Sequence, residues 1–117
     1  STQVSVCHCG MCRQWAGAPF MGVDCGTDVQ ITGSEVVGVF ASSRWAERAF
    51  CTQCGTHLFY RFTASQIHEV SVGLFANAAV FEMGTQIFID KKPAYYTFAN
   101  DTPCLTQAQV LAKFAAQ

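Results

Sequence analysis

Five of the seven cysteines in this chain of 117 residues fall in two short clusters. The first cluster consists of Cys7, Cys9 and Cys12, and the second consists of Cys51 and Cys54. Such close C-x-C and C-x-x-C spacings are typical of metal ligands, because neighbouring thiolates can point at one ion. The clusters therefore predict a small fold built around zinc.

The first cluster is able to hold a metal by itself. In an extended segment Cys7 and Cys9 face the same side, and a turn at Gly10-Met11 brings Cys12 back to them. Three protein ligands leave the fourth tetrahedral position of zinc open, which distinguishes catalytic zinc sites from closed structural ones. This spacing therefore indicates chemistry at Cys7, Cys9 and Cys12.

A closed site is the alternative. Cys9, Cys12, Cys51 and Cys54 have the spacing of a four-cysteine zinc ribbon, in which Gly55 takes a positive φ to close the second turn. The protein would then be a non-enzymatic structural zinc-ribbon module, with Cys7 free and a hydrophobic sheet face that binds a partner. The sequence leaves both possibilities open.

Disulfides and redox chemistry are weaker interpretations of the same cysteines. The odd number of cysteines leaves at least one thiol unpaired. A redox C-x-x-C is expected at a strand-to-helix junction inside a βαβ pattern, and we find no βαβ pattern here. Cys25 and Cys104 stand apart from both clusters, and we expect them to be buried by ordinary packing.

Length and composition are those of a single compact domain over residues 1–117. A net charge of −1 argues against a nucleic-acid partner, and no apolar stretch is long enough to span a membrane. Unpaired thiols without a signal sequence lead us to expect a cytoplasmic protein. Only 13% of residues are charged, which is compatible with self-association as a homo-oligomer but leaves few groups for an anionic substrate.

Most of the chain has the pattern of short strands. β-rich runs separated by glycine, proline and aspartate turns predict a mainly β fold with antiparallel sheets. The last segment predicts a helix, because Thr106 and Gln109 form a capping box before the apolar stripe Val110, Leu111 and Phe114. The predicted strands cover residues 3–6, 20–25, 29–31, 36–40, 48–50, 57–62, 68–72 and 86–89.

The clusters and their flanking residues also resemble a known family. The matching residues are Cys7-His8-Cys9, Cys12-Arg13, Ala16 to Phe20, Ser42-Ser43, Arg48, Phe50-Cys51, Cys54-Gly55-Thr56 and Ile87 to Pro93. In this order they are similar to the glutathione-dependent formaldehyde-activating enzyme family, which also contains centromere protein V. The resemblance implies folded antiparallel sheets of the β-tent sandwich type, with zinc and a C-terminal helix.

Site roles follow from the resemblance. It implies a catalytic zinc on Cys7, Cys9 and Cys12, and a second, structural zinc on Cys51 and Cys54. In the family the other half of the structural site is a G-x-C-x-C-G motif near the N-terminus. Only six residues precede Cys7, so we expect the domain to lack this N-terminal strand pair.

The implied activity is that of a carbon-sulfur lyase, the synthesis of S-hydroxymethylglutathione from glutathione and formaldehyde or a related thiol adduct reaction. Zinc on three thiolates suits a fourth thiolate, which stays ionised and attacks the aldehyde, although polarisation of the aldehyde oxygen is also open. Arg13 is the candidate for binding a substrate carboxylate, with a surface ion pair as the alternative. Trp15 is a candidate pocket wall, with core packing as the alternative.

Overall fold

The computed structural model describes residues 1–115 and consists mainly of short strands. The predicted mainly β class with a C-terminal helix is confirmed. Within the described residues, four 3-10 turns occur at Ser34–Val36, Val72–Leu74, Ala78–Val80 and Ile89–Lys91. The strands and helices are β1 (Gln3–Cys7), α1 (Gly10–Ala16), β2 (Phe20–Asp24), β3 (Val37–Phe40), β4 (Ala46–Cys51), β5 (His57–Phe62), β6 (His68–Ser71), β7 (Glu82–Ile87), β8 (Cys104–Leu105) and α2 (Gln107–Ala115).

The chain divides into two compact units. The first contains Ser1 and Gly22–Ala79, and the second contains Thr2–Met21 together with the described residues from Val80 onward. No helix within the described part of the chain has the length and apolar character needed to cross a bilayer.

The first unit is an antiparallel sheet. Its strands lie in the order β3-β4-β5-β6-β2, and every pair in this series is antiparallel. Val23, Ala46, Ala49 and Phe59 form its buried apolar core. Strands β4 and β5, which include the predicted strands 48–50 and 57–62, form the hairpin that carries the second cysteine cluster at its bend.

The second unit contains β1, β7 and β8. Strand β1 runs parallel to β7, and β7 runs parallel to β8. In β1, Val4 and Val6 are buried, whereas Gln3 is exposed and Ser5 is half-buried. This alternation is expected of a strand that is covered on one face. The sequence did not indicate these parallel pairs, because parallel pairing depends on segments far apart in the chain.

The C-terminal helix α2 begins as predicted. The backbone amide of Gln109 donates to the Thr106 hydroxyl (3.3 Å), and the Gln109 side-chain oxygen accepts from the Thr106 amide (2.8 Å). Val110 is 5% exposed, whereas Leu111 and Phe114 are about half exposed, at 53% and 47%. The capping box is therefore confirmed, but only one residue of the predicted apolar stripe is buried.

Other strand predictions differ in detail. Residues 29–31 are not a strand, and β7 begins four residues before the predicted start at Gln86. The two-residue strand β8 and the helix α1 were not predicted. Of these differences, α1 matters most because it lies inside the first cysteine cluster.

Candidate metal centre

Three thiols of the first cluster meet in the second unit. Cys7 is the last residue of β1, Cys9 caps α1, and Cys12 lies in the first turn of that helix. Their sulfur atoms all lie within 4.8 Å of one another. Among residues 1–115 they are the only group of three or more histidine, cysteine or acidic side chains close enough to share a metal ion.

Helix α1 brings Cys12 back to the other two cysteines. The backbone amide of Cys12 donates to the Cys9 sulfur (3.4 Å), and Gly17, at a φ of 79°, ends the helix by donating to the Arg13 carbonyl (2.8 Å). We predicted a turn at Gly10-Met11, and the return is instead made by a short helix.

The same helix places a C-x-x-C at a strand-to-helix junction, the setting that the sequence did not indicate. This junction is where a redox C-x-x-C is expected. This cluster differs from a two-cysteine redox motif by its third thiol, Cys7, which lies with Cys9 and Cys12 in one group. None of the seven cysteines, all of which lie within residues 1–115, forms a disulfide in the structure.

The environment of the three sulfurs suits a soft divalent metal. Hydrogen bonds from Cys12 and then Cys7 lower the pKa of Cys9, while hydrogen bonding to Cys12 and Cys9 and burial raise the pKa of Cys7. Cys7 and Cys12 are buried and Cys9 is half-buried. Three sulfur donors of this kind fit Zn²⁺ and leave one tetrahedral position for another ligand.

Arg13 and Trp15 lie on α1, next to the cluster. Arg13 is half-buried and its Nε donates to the backbone carbonyl of His8 (2.9 Å), so part of the guanidinium is already used. The Trp15 ring packs against Phe20 with 5.3 Å between ring centroids. The contact agrees with core packing, and the substrate roles of Arg13 and Trp15 remain predictions.

His8 differs from its expected position. Because it lies between two cysteines, we expect this side chain to point away from the metal and to face solvent or pair with the backbone, but it is fully buried. Its Nε2 lies 2.9 Å from Oε1 of Gln86 and its Nδ1 lies 2.7 Å from the hydroxyl of Tyr96. Burial lowers the pKa of His8, and the charges of Lys92 and Arg13 lower it further, against the hydrogen bond with Gln86.

The second cluster lies in the first unit, at the β4–β5 bend. The amide of Gly55 donates to the Cys51 carbonyl (2.8 Å), and Gly55 has the predicted positive φ of 79°. Cys54 is exposed, and its sulfur lies 3.0 Å from the Thr56 hydroxyl, whose hydrogen bond lowers the pKa of the Cys54 thiol. The roles of Cys51 and Cys54 as zinc ligands remain predictions.

Cys51 also lines an apolar cavity of about 380 Å³ in the first unit. Among the other lining residues are Ile31, Leu58, Phe59 and Leu74.

The remaining two cysteines differ from expectation, since Cys25 is half-buried and Cys104 is exposed.

Sequence reasoning did not find Gln86, Tyr96 or Lys92 near the cluster. Gln86 begins the predicted strand 86–89, and Lys92 lies in the stretch Ile87 to Pro93 that carries the resemblance, but neither position indicates a contact with the cluster. No local spacing connects these residues to His8, which precedes Gln86 by 78 positions.

The chain is similar to known proteins over most of its length. The family model described as glutathione-dependent formaldehyde-activating enzyme matches residues 1–91. A protein of Schizosaccharomyces pombe (strain 972 / ATCC 24843), which carries the name of an uncharacterized lyase, is 37% identical over 110 residues. The aligned region covers 93% of this chain and 80% of the yeast protein.

Proposed function

Because this chain belongs to the glutathione-dependent formaldehyde-activating enzyme family, we propose that it is a carbon-sulfur lyase that joins a thiol to formaldehyde. The lyase name of the yeast relative supports the enzyme class. The observation that carries the proposal is the convergence of Cys7, Cys9 and Cys12, because three thiols leave room for a fourth ligand.

The proposed reaction forms one carbon-sulfur bond. The substrate thiol loses its proton, its sulfur attacks the formaldehyde carbon, and the electrons of the carbon-oxygen π bond move to oxygen. That oxygen then takes up a proton to give the S-hydroxymethyl thiol. Glutathione is the proposed thiol, and the reverse reaction breaks the same carbon-sulfur bond.

Cys7, Cys9 and Cys12 are the residues proposed to hold zinc. When bound, Zn²⁺ supplies a position that keeps a substrate sulfur ionised at neutral pH and close to the aldehyde. Two of the three cysteines are buried and Cys9 is only half-buried, so the side near Cys9 is the natural approach for a substrate.

Arg13 and Trp15 are proposed to orient the thiol. The Arg13 Nε is used by the His8 carbonyl, which fixes the plane of the guanidinium and leaves its outer nitrogens for a carboxylate. Trp15, fixed against Phe20 on the same short helix, would form an apolar wall beside it.

The test uses magnetisation-exchange NMR on a mixture of glutathione and formaldehyde. Because the two compounds combine spontaneously, the rate without protein is the baseline. The samples are zinc-loaded protein, metal-free protein, Cys12→Ser and Cys104→Ser. The last variant is the control, because Cys104 is an exposed thiol outside both clusters.

Exchange that is faster with zinc-loaded protein and with Cys104→Ser, but not with Cys12→Ser, is the expected result. Exchange at the baseline rate in every sample would contradict the formaldehyde reaction. Tight zinc binding without faster exchange would favour the non-enzymatic zinc-ribbon module.

A further inference from the structure

His8 separates two of the proposed zinc ligands and is fixed at each end of its backbone. Its amide donates to the Ile87 carbonyl (3.1 Å), and its carbonyl accepts from Arg13 Nε (2.9 Å). It is the only residue between Cys7 and Cys9. The position of His8 therefore sets the distance between the two cysteine backbones.

The imidazole ring of His8 is fixed as well. The side-chain nitrogen of Gln86 donates to the Thr102 hydroxyl (3.1 Å), which turns the Gln86 oxygen toward His8 Nε2 (2.9 Å). Because that oxygen can only accept, Nε2 carries the proton and Nδ1 is the acceptor for the Tyr96 hydroxyl (2.7 Å). Both ring nitrogens are occupied, so His8 is not available as a metal ligand.

Tyr96 is held in turn by Lys92. The Lys92 ammonium donates to the backbone carbonyl of Tyr96, to the Pro93 carbonyl (3.0 Å) and to the Thr97 hydroxyl (3.1 Å). The Tyr96 and His8 rings are stacked with 5.5 Å between their centroids. Lys92 therefore fixes the loop that brings the tyrosine hydroxyl to the histidine.

We propose that His8, Gln86 and Tyr96 form a positioning network that holds the thiols of Cys7 and Cys9 at the spacing a metal requires. The proposal rests on the proposed function, since it takes the first cluster as the metal site. A network of this kind acts before metal binds, because a chain that is already ordered loses less conformational entropy when the ion arrives. All three residues are positioning residues, and none is a ligand.

The geometry favours this role over general core packing. A buried residue that only filled space would be apolar, because burying unpaired polar groups costs free energy. Here a fully buried imidazole, between two cysteines in the chain, and a buried glutamine amide, 5% exposed, are hydrogen-bonded to each other, and their remaining polar atoms pair with Tyr96 and Thr102. Hydrogen bonds have narrow directional limits, so they specify one ring orientation where apolar packing would allow several.

The test measures Co²⁺ binding to the metal-free protein, by absorption of the thiolate-to-cobalt charge-transfer bands. The variants are Tyr96→Phe, which removes only the hydroxyl on Nδ1, His8→Leu, which removes both ring contacts, and His8→Gln, which keeps a donor for Gln86. Tyr95→Phe is the matched control, because it removes a hydroxyl from the neighbouring tyrosine, which is 78% exposed. Thermal unfolding of each metal-free variant is measured in parallel.

Absorption from Co²⁺ bound at the second cluster must be excluded from the comparison, so Cys12→Ser defines the relevant signal. Only the absorption that this variant removes from the parent protein is assigned to the first cluster. We expect Tyr96→Phe and His8→Leu to bind Co²⁺ at least about tenfold more weakly than Tyr95→Phe, the effect typical of residues that orient metal ligands. His8→Gln should recover part of the loss. Tyr96→Phe should unfold at a somewhat lower temperature than Tyr95→Phe, because Nδ1 of the buried His8 loses its partner, but it should be fully folded at the temperature of the binding measurement.

Two results would overturn the proposal and are distinguishable. If Tyr96→Phe and His8→Leu bind Co²⁺ as tightly as Tyr95→Phe, the positioning network is wrong while the metal site stands. If the parent protein gives no signal that depends on Cys12, the proposed metal site itself fails. If His8→Leu does not fold, Tyr96→Phe decides the outcome alone.

Discussion

The backbone amide of Cys12 points at the sulfur of Cys9, 3.4 Å away, because both residues belong to the first turn of α1. This contact closes the C-x-x-C of the first cluster without any metal. Cys7 joins the two from the end of β1. The cluster is thus assembled from one strand end and one helix start, two elements whose geometry is set by backbone hydrogen bonds.

Zinc content is expected to divide between the two clusters. Cys12→Ser removes one of three thiolates that meet in space and should lose about one equivalent of zinc, with the zinc bound elsewhere retained. Cys54→Ser should leave the zinc of the first cluster in place. Metal analysis of the purified proteins measures both, with Cys104→Ser as the control.

A single four-cysteine site would give a different pattern of zinc loss. Cys12→Ser and Cys54→Ser would then remove the same zinc, and Cys7→Ser would remove none. That pattern would contradict the open three-cysteine site and favour the non-enzymatic zinc-ribbon module.

Arg13 is expected to act on substrate binding. Arg13→Lys keeps the positive charge but loses the planar pair of donors, and a charged hydrogen bond contributes about 1.5–3 kcal/mol. We expect kcat/KM for glutathione to fall roughly 10- to 100-fold, mainly through KM. Arg44→Lys, at an exposed arginine, is the control.

A different kinetic result would assign Arg13 another role. If KM is unchanged and zinc affinity falls instead, Arg13 acts through its hydrogen bond to the His8 carbonyl and not on the substrate. Steady-state kinetics and zinc competition with a chelator, measured on the same sample, distinguish these outcomes.

The sequence predicts the parts of this protein that depend on local pattern. The strand His57–Phe62, the positive φ of Gly55 and the capping box of Thr106 and Gln109 all appear as expected. Each depends on residues within a few positions of one another. Alternation, turn glycines and caps are short-range signals, so a single sequence is enough to reveal them.

The features that the sequence did not predict have two physical causes. Helix α1 has seven residues, too few for apolar periodicity, and its cap is Cys9 instead of the usual serine, threonine, aspartate or asparagine. Its end carries ordinary signals, Arg13 in the last turn, Gly17 at the cap and Pro19 two residues later, but without periodicity or a usual N-cap they do not identify a helix. The contacts of His8 with Gln86 and Tyr96 join distant segments, and no local rule reports such pairs.

Gly38 is expected to be intolerant of a side chain. It lies opposite Phe50 in the β3–β4 pair, and a Cβ added at Gly38 would lie 2.6 Å from the Phe50 ring. The ring must move or the strands must separate, so Gly38→Ala should lower the free energy of unfolding by about 1–3 kcal/mol. Urea denaturation measures this change.

Gly73→Ala is the matched control for Gly38→Ala. A Cβ added at Gly73 meets nothing within 4 Å, so the free energy of unfolding should stay the same or rise slightly. If the two variants had equal free energies of unfolding, the Phe50 ring could move aside without loss of stability. The close approach of Gly38 to that ring would then not contribute to the fold.

Glu69 is expected to make stability fall as pH rises. Burial raises the pKa of this carboxyl to about 7, and the neighbouring charge of Asp24, its partner across the β2–β6 pair, adds to the effect. The folded protein therefore holds a proton between about pH 4.5 and pH 7 that the unfolded chain has released. Stability decreases through that window and levels off above it.

Glu69→Gln removes this dependence, because the amide resembles the protonated carboxyl at every pH. The variant should match the parent near pH 4.5 and exceed its free energy of unfolding by about 1–3 kcal/mol at pH 8. Urea denaturation across this range measures the difference between the two proteins, in which effects of pH on the cysteine clusters cancel. Glu35→Gln, at an exposed glutamate, is the control and should have the same free energy of unfolding as the parent at every pH. If Glu69→Gln also matched the parent across the range, Glu69 would be solvated in the folded protein.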